Sequence, residues 1–203
     1  MKVLILAGGY GTRISEESDV KPKPMIEIGG KPILWHIMKG YAHQGFRRFV
    51  LCLGYKAWMI KDYFLTHQFA ANDFTLDLGS HKASFHDVDG VKKDDFEIAF
   101  VDTGAETLTG ERLLKVAHLL GNEPFMATYG DGVSNVDLRQ LIAHHALMRE
   151  QFGVVGTLTG IHPKSKYGLV LTDEHGRVQR FSQYPQLPDY TNGGFMVFEP
   201  EFL

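Results

Sequence analysis

Residues 2–7 are apolar on both faces, and the run stops abruptly at Gly8-Gly9-Tyr10-Gly11. A short, non-alternating run cut off by glycines predicts a strand buried on both sides, in the middle of a parallel sheet. Helical spacing follows it. Ile33, Leu34, Ile37, Met38 and Tyr41 recur on one face of a stretch that Lys31-Pro32 opens and Gly45 closes. Proline suits a first helical turn, where its missing N–H costs nothing. Residues 49–53 predict a second apolar strand and residues 57–65 a second, short helix. Strand, helix, strand, helix with short connections is the rhythm of an α/β chain.

The period changes between His67 and Asp95. Phe74-Thr75-Leu76-Asp77-Leu78 and Ala83-Ser84-Phe85 alternate as solvated strands do, which predicts an inserted antiparallel hairpin. Downstream, residues 96–101 read as a strand. Residues 111–120 read as a helix with Leu113, Leu114, Ala117 and Leu120 inward and Thr109 as its N-cap. A strand over 125–128 leads into Tyr129-Gly130-Asp131-Gly132, and an amphipathic helix spans 137–150. Strands are expected at 152–159, 169–172, 178–181 and 195–198, with a turn at Glu174-His175-Gly176 and a helix starting at Pro200. No internal repeat, low-complexity tract or linker interrupts residues 1–203, so one domain is the reading.

Composition adds mainly exclusions. Of 203 residues, 44 % are hydrophobic, which suits a globular chain and not a disordered one. Lys and Arg number 21 against 24 Asp and Glu, a net charge of −3 that argues against non-specific nucleic-acid binding. No apolar run approaches the length of a membrane span. Cys52 is the single cysteine, which excludes an intramolecular disulfide and makes a reducing, cytoplasmic setting the default.

Candidate chemistry begins at Leu6-Ala7-Gly8-Gly9-Tyr10-Gly11-Thr12-Arg13. Glycines after a buried strand let backbone approach a ligand and turn its N–H groups toward an anion. The spacing fits neither G-x-G-x-x-G nor a P-loop, and Glu27, the acidic residue nearest the offset a dinucleotide fingerprint requires, follows the basic strip rather than a second strand, which speaks against a nicotinamide-dependent oxidoreductase. Lys21-Pro22-Lys23-Pro24-Met25 then reads as a stiff strip presenting two ammonium groups, suited to ordering around a polyphosphate. Arg13 adds a planar fork for phosphate oxygens. Asp131 stands between two glycines at a predicted strand end, where open α/β sheets gather ligands and where a hydrated Mg²⁺ has room.

The segments Leu6 to Arg13 and Lys21 to Met25 resemble the N-terminal signature of the sugar-phosphate nucleotidyltransferases. Gly29 to Met38, Val101-Asp102-Thr103-Gly104, Thr109-Gly110, Arg112-Leu113 and Tyr129 to Val133 resemble the glucose-1-phosphate cytidylyltransferase branch in particular. This resemblance implies a doubly wound, mostly parallel nucleotide-binding sheet and the exchange of a sugar 1-phosphate with CTP, giving CDP-sugar and pyrophosphate, with Mg²⁺. It implies that Leu6, Ala7, Gly8, Gly9, Gly11, Thr12 and Gly130 cradle the nucleotide and that Arg13 and Lys23 sit on its phosphates. Thr107 and Arg112 match nucleotide-contacting positions, Asp131 matches a metal ligand, and Asn192 and Gly193 match a sugar-binding turn. Self-association is expected by the same resemblance, with no nucleic acid and no membrane as partner.

Two departures from the pattern stand out. The family's phenylalanine-x-glutamate-lysine-proline segment is Phe181-Ser182-Gln183-Tyr184-Pro185 here, without the charged pair that holds a sugar phosphate. The family's second metal-binding aspartate belongs to a stretch beyond Leu203. Both departures keep open a second reading, a shortened, catalytically weak relative that binds nucleotide or sugar phosphate as a regulatory or assembly partner. Other features read as structural. His81, His86, Asp87 and Asp89 suit a solvated hairpin, and His144 and His145 a helix surface. Lys92-Lys93-Asp94-Asp95 suits a solvated turn. Trp58, Met59, Tyr63 and Phe64 suit core or subunit contact, and Cys52 suits buried filler.

Overall fold

A computed structural model describes residues 1–10, 21–86 and 94–203. In chain order its elements are β1 (Val3–Leu6), β2 (Glu27–Ile28), β3 (Lys31–Pro32), α1 (Ile33–His43), β4 (Arg48–Leu53), α2 (Ala57–Ala71), β5 (Phe74–Asp77) and β6 (Lys82–Phe85). There follow β7 (Glu97–Asp102), α3 (Thr109–Leu120), β8 (Phe125–Tyr129), α4 (Leu138–Phe152), β9 (Gly156–Ile161), β10 (Leu169–Thr172), β11 (Val178–Ser182) and β12 (Thr191–Phe198). Short 3₁₀ turns occupy Lys23–Met25 and Pro200–Phe202.

Six strands form the central sheet in the order β7-β4-β1-β8-β12-β9. β7, β4, β1 and β8 are mutually parallel, whereas β12 runs antiparallel to both of its neighbours. Alternate residues of each strand divide two cores. Val3, Ile5, Phe49, Leu51, Leu53, Met126 and Val197 face α1, α2 and α4. Leu4, Val50, Cys52, Phe125, Ala127 and Met196 face α3. Both faces of β1 are therefore covered, which is why its sequence shows no alternation.

The chain leaves β1 for β4 and β7 on one side and returns to β8 on the other. The carboxyl ends of β1 and β8 are thus the switch point of the sheet, the place where open α/β sheets bind ligands. Gly130 N donates to Leu6 O at 2.9 Å and holds these two ends together, while Ala7 N donating to Cys52 O at 3.0 Å holds the end of β1 to β4.

The expected hairpin is present as β5 and β6, with Phe74 opposite Phe85. Several boundaries differ from expectation for identifiable reasons. Thr109 does not cap α3; Leu108 is the N-cap, without a side-chain bond. The helix is rotated so that Arg112, Leu113, Val116 and Leu120 point inward, leaving Leu114 exposed. α2 runs on to Ala71 rather than ending at 65. Phe152 closes α4 instead of starting a strand, because Gly153 takes a left-handed C-cap (φ 66°). Asp137 caps that helix, accepting from Arg139 N and Gln140 N. Pro200 starts a single 3₁₀ turn, not a longer helix.

Two structural readings are corrected as well. His145 is buried, bonded to Thr157 Oγ1 at 2.8 Å and to Glu199 at 3.2 Å, so it ties α4 to β9 and the end of β12. Asp94 is no solvated turn residue. It accepts from Trp35 Nε1 at 2.7 Å and Lys39 Nζ at 2.9 Å, fastening the return from the hairpin to α1. Trp58 is exposed, while Tyr63 and Phe64 reach the core edge. Cys52 is buried, as expected. Asp87, Asp89, Lys92 and Lys93 lie outside the described residues.

Candidate active site

A cleft of about 440 Å³ opens at the switch point. Its floor is Leu6 to Tyr10 after β1, one wall is Lys23 and Pro24, and another is Tyr129, Gly130 and Asp131 after β8. The third wall is the loop from Ala105 to Thr109, backed by Arg112 from α3. Leu6, Ala7, Gly8, Gly9, Lys23, Thr107, Arg112, Gly130 and Asp131 are therefore gathered around one space from five separate stretches of chain. Gly11, Thr12 and Arg13 lie outside the described residues.

The two lysines of the basic strip separate. Lys23 sits in the 3₁₀ turn, half-buried, and lines the cleft. Lys21 does not line it; its ammonium pairs with Glu27 at 2.8 Å on the surface. The strip is extended only at Pro22 (φ −65°, ψ 145°) and turns at once, so the two side chains diverge. Among the described residues Lys23 has no ion-pair partner, and Asp131 likewise has none. A cation and a carboxylate thus face the same space without neutralising each other.

Gly130 is buried, and a Cβ there would approach Leu6 O and the Pro24 ring at 3.1 Å, so glycine lets the floor and two of the walls meet. The donor set bears on metal chemistry too. Asp131 is an exposed carboxylate at the cleft, and among the described residues no group of three His, Cys, Asp or Glu converges on a point. One carboxylate with open surroundings fits a hydrated Mg²⁺ whose remaining positions are filled by water and phosphate oxygens.

Arg112 lines the cleft as expected of it, but its guanidinium is also held by the protein. Its side chain is buried, and both Nη atoms are committed to the protein. Nη1 donates to Leu53 O at 3.0 Å and Thr103 Oγ1 at 2.6 Å, and Nη2 to Gly8 O and Ala105 O, each at 3.1 Å. The guanidinium fork thereby ties the ends of β4 and β7 to the glycine loop and to the third wall. Gly8 and Gly54 make room for it. A Cβ at Gly8 would collide with the guanidinium, and one at Gly54 would come within 2.7 Å of both Gly8 O and Gly104 O. Thr107 is also engaged, donating to Thr103 O and accepting from Lys115 Nζ at 3.0 Å.

Across the cleft rim, Asn192 Nδ2 donates to Tyr129 OH at 3.1 Å, and Asn192 Oδ1 accepts from Gly194 N at 2.8 Å. β12 is irregular between Asn192 and Met196, and Gly194 is left-handed (φ 82°). A Cβ on Gly194 would lie 2.8 Å from the Tyr129 ring. The turn with Asn192 and Gly193 therefore abuts the ring that lines the cleft. Gln183 and Tyr184 are not in this group. They follow the two-stranded β10–β11 ribbon, exposed, with Tyr184 at φ 50°.

Tyr10, Glu106, Tyr129 and Gly54 were not singled out from the sequence. Tyr10 and Tyr129 stand inside the quoted glycine motifs, but nothing in the spacing marks Glu106 or Gly54.

The chain belongs to the nucleotidyl transferase family, whose model matches residues 2–203. It is 42 % identical over 201 residues to a probable glucose-1-phosphate cytidylyltransferase of Bacillus subtilis (strain 168), covering 99 % of this chain and 76 % of that one. It is 41 % identical over 205 residues to the glucose-1-phosphate cytidylyltransferase of Salmonella typhimurium, covering 100 % of this chain and 77 % of that one. The fold is shared with the crystal structure of HddC from Yersinia pseudotuberculosis complexed with GMP-PN. There the TM-score is 0.63 and the identity 23 %, over 98 % of this chain and 77 % of that one.

Proposed function

We propose that this enzyme transfers a cytidylyl group from CTP to glucose 1-phosphate, releasing pyrophosphate. The observation that carries the reading is the meeting of Lys23 and Asp131, each without a protein counter-ion among the described residues, at the switch-point cleft. The similarity to two glucose-1-phosphate cytidylyltransferases supports the choice of base and sugar.

In this reaction a phosphate oxygen of the sugar attacks the α-phosphorus of the nucleotide. The bond from that phosphorus to the oxygen bridging to the β-phosphate breaks, and pyrophosphate departs with the electron pair. Two anions must be brought together, so positioning and charge neutralisation do the chemistry. Backbone around Gly8 and Gly9 lies against the nucleotide, and the Lys23 ammonium meets phosphate oxygens. Arg13 joins Lys23 on the phosphates by resemblance. Asp131 would hold Mg²⁺, and the ion would supply neutralisation of the charge on the phosphoryl oxygens. Asn192, placed by Tyr129, offers a polar side chain to the sugar half. Arg112 acts through the loop it clasps.

The test is pyrophosphate release from a panel of nucleoside triphosphates and hexose 1-phosphates with Mg²⁺. CTP with glucose 1-phosphate is expected to turn over fastest. Lys23→Ala and Asp131→Asn are each expected to lower turnover by roughly 10²–10³ with unchanged thermal unfolding. Binding of CTP without pyrophosphate release would refute the catalytic reading, and full activity in either variant would remove that residue from the machinery.

A further inference from the structure

Tyr10 and Glu106 line the cleft from opposite loops, one after β1 and the other between β7 and α3. The Tyr10 hydroxyl donates to Glu106 Oε1, and the Tyr10 ring packs on Tyr55 with centroids 5.0 Å apart. Among the described residues no cation pairs with Glu106. A carboxylate with no cation beside it repels a triphosphate, so the polyphosphate lies toward the Lys23 ammonium, with Asp131 reached through the Mg²⁺ it would hold, and the uncharged half of the nucleotide lies toward Glu106.

The hydrogen-bond inventory of the pair restricts what it accepts. The one hydroxyl proton is directed into the pair, so Glu106 Oε2 and the remaining lone pairs of both cleft-lining groups are left without a donor from each other. The contact with Glu106, with smaller contributions from burial and from the charge of that carboxylate, raises the Tyr10 phenol above its ordinary value, so the proton stays in place at neutral pH. Toward a ligand the pair is acceptor-only. On a nucleoside the complementary groups are N–H or O–H donors: an exocyclic amino group, a ring N–H such as uracil N3–H, or the ribose hydroxyls, and at the 4-position of a pyrimidine only the amino group of cytosine donates. A keto oxygen presented to the same spot meets lone pairs and is rejected.

We propose that Tyr10 and Glu106 form a donor-reading acceptor pair that recognises the nucleoside half of the substrate, with Glu106 the specificity-determining residue and Tyr10 its positioning partner. This inference rests on the nucleotidyl-transfer reading above. The amino group of cytosine satisfies the pair, while the 4-keto oxygen of uracil does not.

Calorimetric binding of CTP, UTP and 2′-deoxy-CTP to the full chain, with Mg²⁺, tests it in wild type, Glu106→Gln and Tyr10→Phe. Glu106→Gln is expected to shrink the CTP-over-UTP preference about tenfold if the base amino group is the donor. The CTP-over-deoxy-CTP preference shrinks instead if the ribose is read. Tyr10→Phe is expected to shift the same ratio in the same direction but less, since it leaves the carboxylate in place. Ratios in Glu106→Gln within twofold of wild type, with both proteins melting alike, would overturn the pair's role. Pyrophosphate release by the wild type is measured alongside. Its absence counts against the catalytic reading, whereas turnover with unchanged binding ratios counts against this inference alone.

Discussion

Replacing Arg112 by methionine separates a clasp from a ligand. Methionine keeps an unbranched apolar stem and removes only the guanidinium. Four acceptors lose a donor, but not equally. Leu53 O still receives Thr103 N at 2.9 Å and Thr103 Oγ1 at 2.7 Å, and Gly8 O still receives Tyr55 N at 3.2 Å. Ala105 O and Thr103 Oγ1 lose the donor that Arg112 supplies. Hydrogen bonds from a charged donor contribute about 1.5–3 kcal/mol each, and water entering from the cleft replaces part of that, so a net loss of about 2–4 kcal/mol follows. For a chain of this size that lowers the melting temperature by about 5–15 °C. Thermal unfolding followed by circular dichroism measures the shift, and the same variant is expected to bind nucleotide more weakly because the glycine loop is no longer held. Lysine at 112 recovers little, since a point ammonium cannot reach acceptors on both sides of a planar fork. A variant that melts with the wild type yet loses nucleotide affinity would refute the clasp and return Arg112 to the ligand set.

Two further predictions concern buried chemistry. Burial alone would raise the Asp94 carboxyl, but the hydrogen bonds from Lys39 and Trp35, with the charges of Lys39 and His67, outweigh it and hold it below the ordinary carboxylate range. A carboxyl lowered on folding contributes stability that is complete above its unfolded value of about 3.9 and disappears as pH falls through the folded one. Asp94→Asn is thus expected to unfold at lower urea than wild type at neutral pH, with the two midpoints converging in acid; a gap that does not change with pH would refute it. Burial pushes the Cys52 thiol up to about 12, so the native protein should resist an aromatic disulfide reagent that labels it fully in denaturant. Rapid stoichiometric labelling of the folded chain would contradict the buried placement.

The cleft also shows why some of its members were visible beforehand and others were not. Gly8, Gly9, Lys23 and Asp131 belong to short motifs whose chemistry is local: glycine frees backbone, proline stiffens a strip, and a carboxylate follows a strand. Lys21 carried the same local signal as Lys23 but is turned onto Glu27, because the 3₁₀ turn that begins at Lys23 sends the two side chains apart. Arg112 matched a nucleotide-contacting position, yet its fork closes on carbonyls 59 and 104 residues away in the chain. Glu106 carried no local mark and acquires meaning only through Tyr10, 96 residues distant. His145 and Asp94 read as surface groups for the same reason, their partners Glu199 and Lys39 being remote in sequence.

Period and punctuation along the chain were sufficient for the α/β alternation, the inserted hairpin and the glycine-bearing turn that ends the first strand, because these follow from how each residue's backbone and apolar face behave among near neighbours. Strand order, the pairing of β1 with β8 and the partnering of Arg112 and Glu106 were decided only by the folded chain. Such contacts join segments far apart in sequence, and the energy that selects them comes from packing and charge shared between segments, which no single stretch contains.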